Sequence, residues 1–142
     1  MAYPLQPITI TASATMSKDT HAGTVVNLSA AAGLTATLPA SNGKGDVYTF
    51  FVLTTVTSNN YIIAVANATD VIQGGVALST DIGGTNMLTA STSDTITMNG
   101  STKGGLIGSW VRLRDVSTGF WMCEGFLVCT GTEADPFSAA VS

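Results

Sequence analysis

A single histidine, two cysteines and nine acidic residues scattered one at a time are the reactive side chains of this 142-residue chain. His21 has no carboxylate cluster around it, so it cannot form a metal cage, and a triad would need partners from elsewhere in the fold. It reads as a bystander. Cys123 and Cys129 would lie ~20 Å apart along a continuous strand, beyond bridging distance, and are expected to be buried thiols. Asp70, Asp81 and Asp94 fall in loops beside Asn67 and Asn86. Loop carboxylates can ligate Ca²⁺, but the spaced acid-and-glycine pattern of a dedicated site is missing, and turn formation accounts for Asp and Asn equally well. The Asn-X-Ser/Thr triplets at Asn27, Asn67 and Asn99 are what chance supplies in a chain so rich in Ser and Thr. With no paired acids, metal cluster or nucleophile motif, no catalytic, cofactor or metal residue is assigned. The chain is expected not to be an enzyme.

What remains are residues suited to contact. Trp110, Arg112 and Arg114 alternate onto one face of a strand, opposite Val111 and Leu113. Trp and Arg are frequent contact anchors; a solvated face carrying one half-exposed Trp is the plainer alternative. Trp121 on the following strand would stand near Arg114, which opens a second use of that arginine, a cation–π pair within one subunit. Tyr3, Leu5 and Ile8 supply apolar anchors in an N-terminal segment whose only charges are Lys18 and Asp19. Pro4 and Pro7 hold the backbone extended there, and residues 8–11 alternate like a strand. Residues 1–20 therefore read as a frayed terminus or as an extended arm that orders on a neighbour.

Charge sets the broader frame. Only 10% of the residues are Asp, Glu, Lys or Arg, against about 25% in an ordinary soluble domain. Mean hydropathy is +0.37. A surface with so little charge is expected to be hidden against other protein. The net charge of −4 argues against broad nucleic-acid binding, which needs a basic footprint, and against anionic membranes. The N-terminus lacks a basic start followed by an apolar run, so no secretory signal is read and synthesis in a cytoplasm is expected.

The elements that must position these residues read as strands. From Gly23 onward, short β-favouring segments alternate with Gly, Asn and Pro turns. They cover residues 24–28, 34–38, 47–57, 61–66, 71–72, 76–78, 87–89, 95–98, 106–116 and 120–128, the last two forming a hairpin with Gly119 at its tip. Residues 47–57 lack strict alternation and read as buried on both faces, Gly74-Gly75 as a break, and residues 81–86 as a Gly-rich loop. The spacing predicts an all-β fold with little helix: an antiparallel β-sandwich or barrel, jelly-roll-like, as a single domain over residues 21–142 with an extended N-terminal arm over 1–20. The core is expected to include Phe50, Val52, Ile62, Val65, Val111, Leu113 and Phe126. Because the β pattern starts near Gly23, the sandwich is expected to close without the arm.

Five stretches read together carry a resemblance: residues 34–40 (LTATLPA), 46–58 (DVYTFFVLTTVTS), 93–99 (SDTITMN), 105–115 (GLIGSWVRLRD) and 119–131 (GFWMCEGFLVCTG). In this order, with a Trp after a Gly-containing strand and a Gly-aromatic-Trp return, the chain resembles virion structural proteins of tailed bacteriophages, nearest in kind to capsid decoration, or cement, proteins. The Cys-bearing strand departs from that pattern, where Val, Ala or Thr would be expected. The resemblance implies a homotrimer on the outside of the head. It would bind the major capsid protein and brace the shell, with no cofactor. The competing reading is a phage tail or fibre component that binds a host surface glycan.

Overall fold

The chain shuttles between two sheets. The computed structural model describes residues 5–142, and its first six strands fall alternately in one sheet and the other. β1 (Ile8–Ile10), β3 (Val25–Leu28) and β5 (Val47–Val52) lie in the larger sheet; β2 (Ala14–Thr15), β4 (Leu34–Thr37) and β6 (Tyr61–Ala64) lie in the smaller. Each return finds the chain running the way it ran before, so β1, β3 and β5 pair parallel, as do β2, β4 and β6. A single helical turn, α1 (Lys18–His21), links β2 to β3. The second half of the chain adds β7 (Val71–Thr80), β8 (Gly83–Leu88), β10 (Trp110–Ser117) and β11 (Phe120–Val128) to the larger sheet, and β9 (Thr95–Met98) and β12 (Phe137–Ser138) to the smaller. The orders are β1-β3-β5-β10-β11-β7-β8 and β12-β9-β6-β4-β2.

The fold is all-β, two mixed sheets packed as a sandwich. Antiparallel pairing joins β10 to β5 and β11, β7 to β8, and β9 to β6 and β12. The parallel pairs among the first six strands follow from the shuttling, which no local turn signal encodes, and β11 also pairs parallel with β7.

Period two decides the core. Phe50, Val52, Val65, Val111 and Leu113 are buried between the sheets as expected. Ile62 is not: in β6 the inward positions are Tyr61 and Ile63, and Ile62 stands on the other face. Phe126 is not either, because Trp121, Cys123 and Leu127 are the inward residues of β11. The β5 segment alternates after all, with Tyr48, Phe50 and Val52 inward and its odd-numbered residues half-buried. Gly74 does not break β7. A Cβ there would run into the carbonyl oxygen of Cys123, so glycine is what lets β7 lie against β11.

The N-terminal segment belongs to the sandwich. Ile8 pairs with Val26 and Ile10 with Leu28, both on the inward side, and Ile10 packs against the core. Met16 is 2% exposed within it. The Thr24 hydroxyl donates to the carbonyl of Gln6 at 2.7 Å, and the backbone N–H of Met16 to Thr37 at 2.7 Å. The extended arm expected over residues 1–20 is, from residue 8 to 16, an edge of both sheets. Its apolar residues fall at the spacing that continues the inner faces.

Candidate interaction face

The face of the larger sheet turned away from the core carries an uninterrupted cross-strand row. Strand register aligns Thr9, Asn27, Phe51, Trp110, Phe126, Ala77 and Asn86 across all seven strands. Its centre is aromatic, with Trp110 between Phe51 and Phe126. These three sit on β5, β10 and β11, the middle of the sheet, whose backbones are paired on both sides. Phe126 is 38% exposed, and Phe51 and Trp110 are half-buried.

The adjacent rows hold the charge. Arg112 is aligned with Thr49 and Glu124, and Arg114 with Val47 and Met122. The Arg112 guanidinium lies over the Trp110 ring, 5.4 Å from its centroid, and donates to Glu124 Oε1 at 2.9 Å. An exposed ion pair adds little stability, up to about 1 kcal/mol. Here it holds the guanidinium over the indole ring. Phe120 and Met122 extend the apolar surface along β11, and both are exposed. The result is a flat, largely apolar face with one pre-formed ion pair.

Of the residues singled out from the sequence, the structure brings Trp110, Arg112 and Arg114 together on this face. Trp121 is not Arg114's partner. It points into the core, 1% exposed, with its ring edge-on to Tyr48 at 5.8 Å, and Arg112 takes the cation–π role on Trp110 instead. Trp121 Nε1 is buried with no hydrogen-bond partner among the described residues. Ile8 faces inward and is not part of the face, because its register partner Val26 is a core residue. Leu5 is 53% exposed beside Gly23. Tyr3 lies outside the described residues. Phe51, Phe126, Phe120 and Met122 were not singled out as contact residues. Alternation from Phe120 along β11 finds Phe120 and Met122.

His21, Asp70 and Asp94 are engaged in bonds within the fold. His21 Nδ1 accepts the backbone N–H of Ser17, the residue before α1, at 2.9 Å. Asp70 accepts the N–H of Ser41 at 2.9 Å. Asp94 Oδ1 accepts the Thr95 hydroxyl at 2.7 Å and the N–H groups of Ala140 and Val141 at 2.8 and 3.2 Å. These carboxylates clasp loops. Cys123 and Cys129 are free and buried. Burial, with a lesser contribution from Glu124, pushes the Cys123 thiol up to about 12, and burial also raises Cys129. Among the described residues no three His, Cys, Asp or Glu side chains cluster closely enough to hold a metal ion. Two of the open depressions among the described residues lie away from this face. One, at α1, is crossed by a Lys18–Asp46 ion pair at 3.4 Å; the other lies between the β7–β8 turn and Cys129. Comparison with known protein families, with curated proteins and with solved structures finds no match to this chain.

Proposed function

We propose that this chain is a non-enzymatic capsid decoration protein of a tailed bacteriophage. Made in the host cytoplasm, it assembles as a homotrimer and binds the outer face of the major capsid protein lattice, bracing the head. The observation that carries the reading is the aromatic row Phe51–Trp110–Phe126 at the rigid centre of the larger sheet. Aromatic residues with an adjacent arginine are the usual anchors of protein contacts. A chain with 10% charged residues has good reason to cover such a face. The sequence resemblance supplies the setting.

The second reading is a tail or fibre subunit that binds a host surface glycan. The same row supports it, because a flat indole framed by a fixed Arg112–Glu124 pair also suits a sugar ring. Titration of undecorated heads separates the two. Wild-type protein is expected to bind, and Trp110→Ala to bind roughly 10- to 100-fold more weakly while folding normally. Copy number in purified virions is expected to follow the capsid lattice. A tail-scale copy number, or heads that ignore the Trp110 substitution, would favour the glycan reading, checked by sugar binding at the same residue.

A further inference from the structure

The β8 strand leaves one side of the larger sheet open. Six residues long, it pairs with β7 and, among the described residues, with nothing on its other side. The edge strands β1, β2 and β12 are only two or three residues long, and short edges are one way proteins avoid pairing with other chains. β8 has none of the usual guards: no charge, no proline, no bulge. Asp81 is the only charged residue between positions 71 and 93. The same hairpin also carries the two most exposed large apolar side chains among the described residues, Ile82 at 93% and Leu88 at 76%.

The hydrogen-bond phase of β8 tells which groups are free. The N–H of Thr89 donates to the carbonyl of Gly74 at 3.0 Å. By alternation, Met87, Thr85 and Gly83 also face β7, and the N–H and C=O groups of Gly84, Asn86 and Leu88 point away from it. Such an edge is complementary to itself when turned by a two-fold axis perpendicular to the sheet. The register centred on Thr85 sets Asn86 opposite Gly84 and Leu88 opposite Ile82. It therefore joins the exposed apolar side chains of the two copies and keeps the two Asp81 carboxylates at opposite ends.

We propose that two copies of this chain pair antiparallel through β8, fusing their larger sheets into one of fourteen strands. The axis leaves both aromatic rows on the same side, so the pair presents two contact faces to one surface, and binding there gains from avidity. This contact uses a sheet edge and stands independently of the proposed function. Within that reading it would join neighbouring trimers.

The test is amide hydrogen exchange on the full chain at low and high protein concentration, alongside light scattering. Gly83, Thr85 and Met87 are expected to be protected at both concentrations. Gly84, Asn86 and Leu88 are expected to become protected only at the high one, as the mass of the assembly doubles. Asn86→Pro removes one partner-facing N–H and leaves the bonds to β7 intact, and Leu88→Lys adds a charge without touching the backbone. Each is expected to weaken the doubling at least about tenfold. Fast exchange at Gly84, Asn86 and Leu88 at every concentration would overturn the proposal. So would doubling that survives Leu88→Lys, the variant that remains informative if the proline disturbs the hairpin.

Discussion

The Asp115 carboxylate accepts hydrogen bonds from the backbone N–H groups of Asn42 and Gly43, both at 2.8 Å, from a position 2% exposed to solvent. It pins the loop before β5 to the end of β10. Truncation removes the acceptor of two backbone donors that hold an exposed loop, so Asp115→Ala is expected to cost about 1–3 kcal/mol, read as a shift in the urea midpoint. The buried thiol and phenol make a second expectation. Cys123 is pushed up to about 12 from an ordinary 9.0, and Tyr48 to about 12 from 10.0, in both cases first by burial; for Tyr48, Asp46, Asp115 and Asp19 add to it. The fold favours the neutral form of each. Its stabilising effect is complete below the unfolded values and is lost as pH rises through the folded ones. Stability against urea is expected to be level up to about pH 9 and to fall between there and about 12. At pH 8 the native thiols should resist a thiol reagent that modifies the unfolded chain quickly. Rapid labelling of native protein would show that β11 opens.

At the scale of elements, the sequence was most legible where one strand carried its own answer. Trp110, Arg112 and Arg114 share a face because alternation within β10 places them there. Phe126 was misplaced because residues 126–128 form a short apolar run with no internal phase. Only the register with Trp110, set by the hairpin and the residues before Gly125, turns it outward. Ile62 and Ile63 pose the same problem, settled by the pairing of Ile63 with Ile96 inside the core. The hairpin of β7 and β8 was hidden by its glycines. Residues 83 and 84 look like loop, yet a Cβ at Gly84 would meet Ser79 and the carbonyl of Leu78, so a small residue is what the close approach of the strands needs. The N-terminal segment reads as separable because the β pattern proper starts only near Gly23. The partners of its apolar residues lie in β3 and β4, not in the segment itself. Deleting residues 2–16 removes β1, β2 and the buried Met16, whose loss alone costs about 2–5 kcal/mol. The truncated protein is expected to melt at least about 5 °C lower. An unchanged melting temperature would return the segment to the role of a detachable arm.

For the whole molecule, composition and topology bear on different questions. Low charge with a positive mean hydropathy describes the outside: a flat aromatic face and an unguarded edge, both suited to protein neighbours. It says nothing of how the strands connect. The all-β class was readable from turn spacing, whereas the mixed sheets were not, because pairing between β1, β3 and β5 joins residues that lie a full circuit apart in sequence. That circuit has a kinetic consequence. Among the described residues up to 64, no two strands adjacent in sequence pair, so every strand pairing there waits on closure of a loop that passes through the opposite sheet. Of the larger sheet's strands, only β7 with β8 and β10 with β11 form local hairpins, and the central one, β10–β11, is made last as the chain leaves the ribosome. The nascent N-terminal half therefore has no template of its own. Folding should start from the C-terminal hairpin and be slow for a chain of this length. A ribosome-stalled fragment ending before residue 110 is expected to remain open to protease, and to become resistant only when the final quarter has emerged.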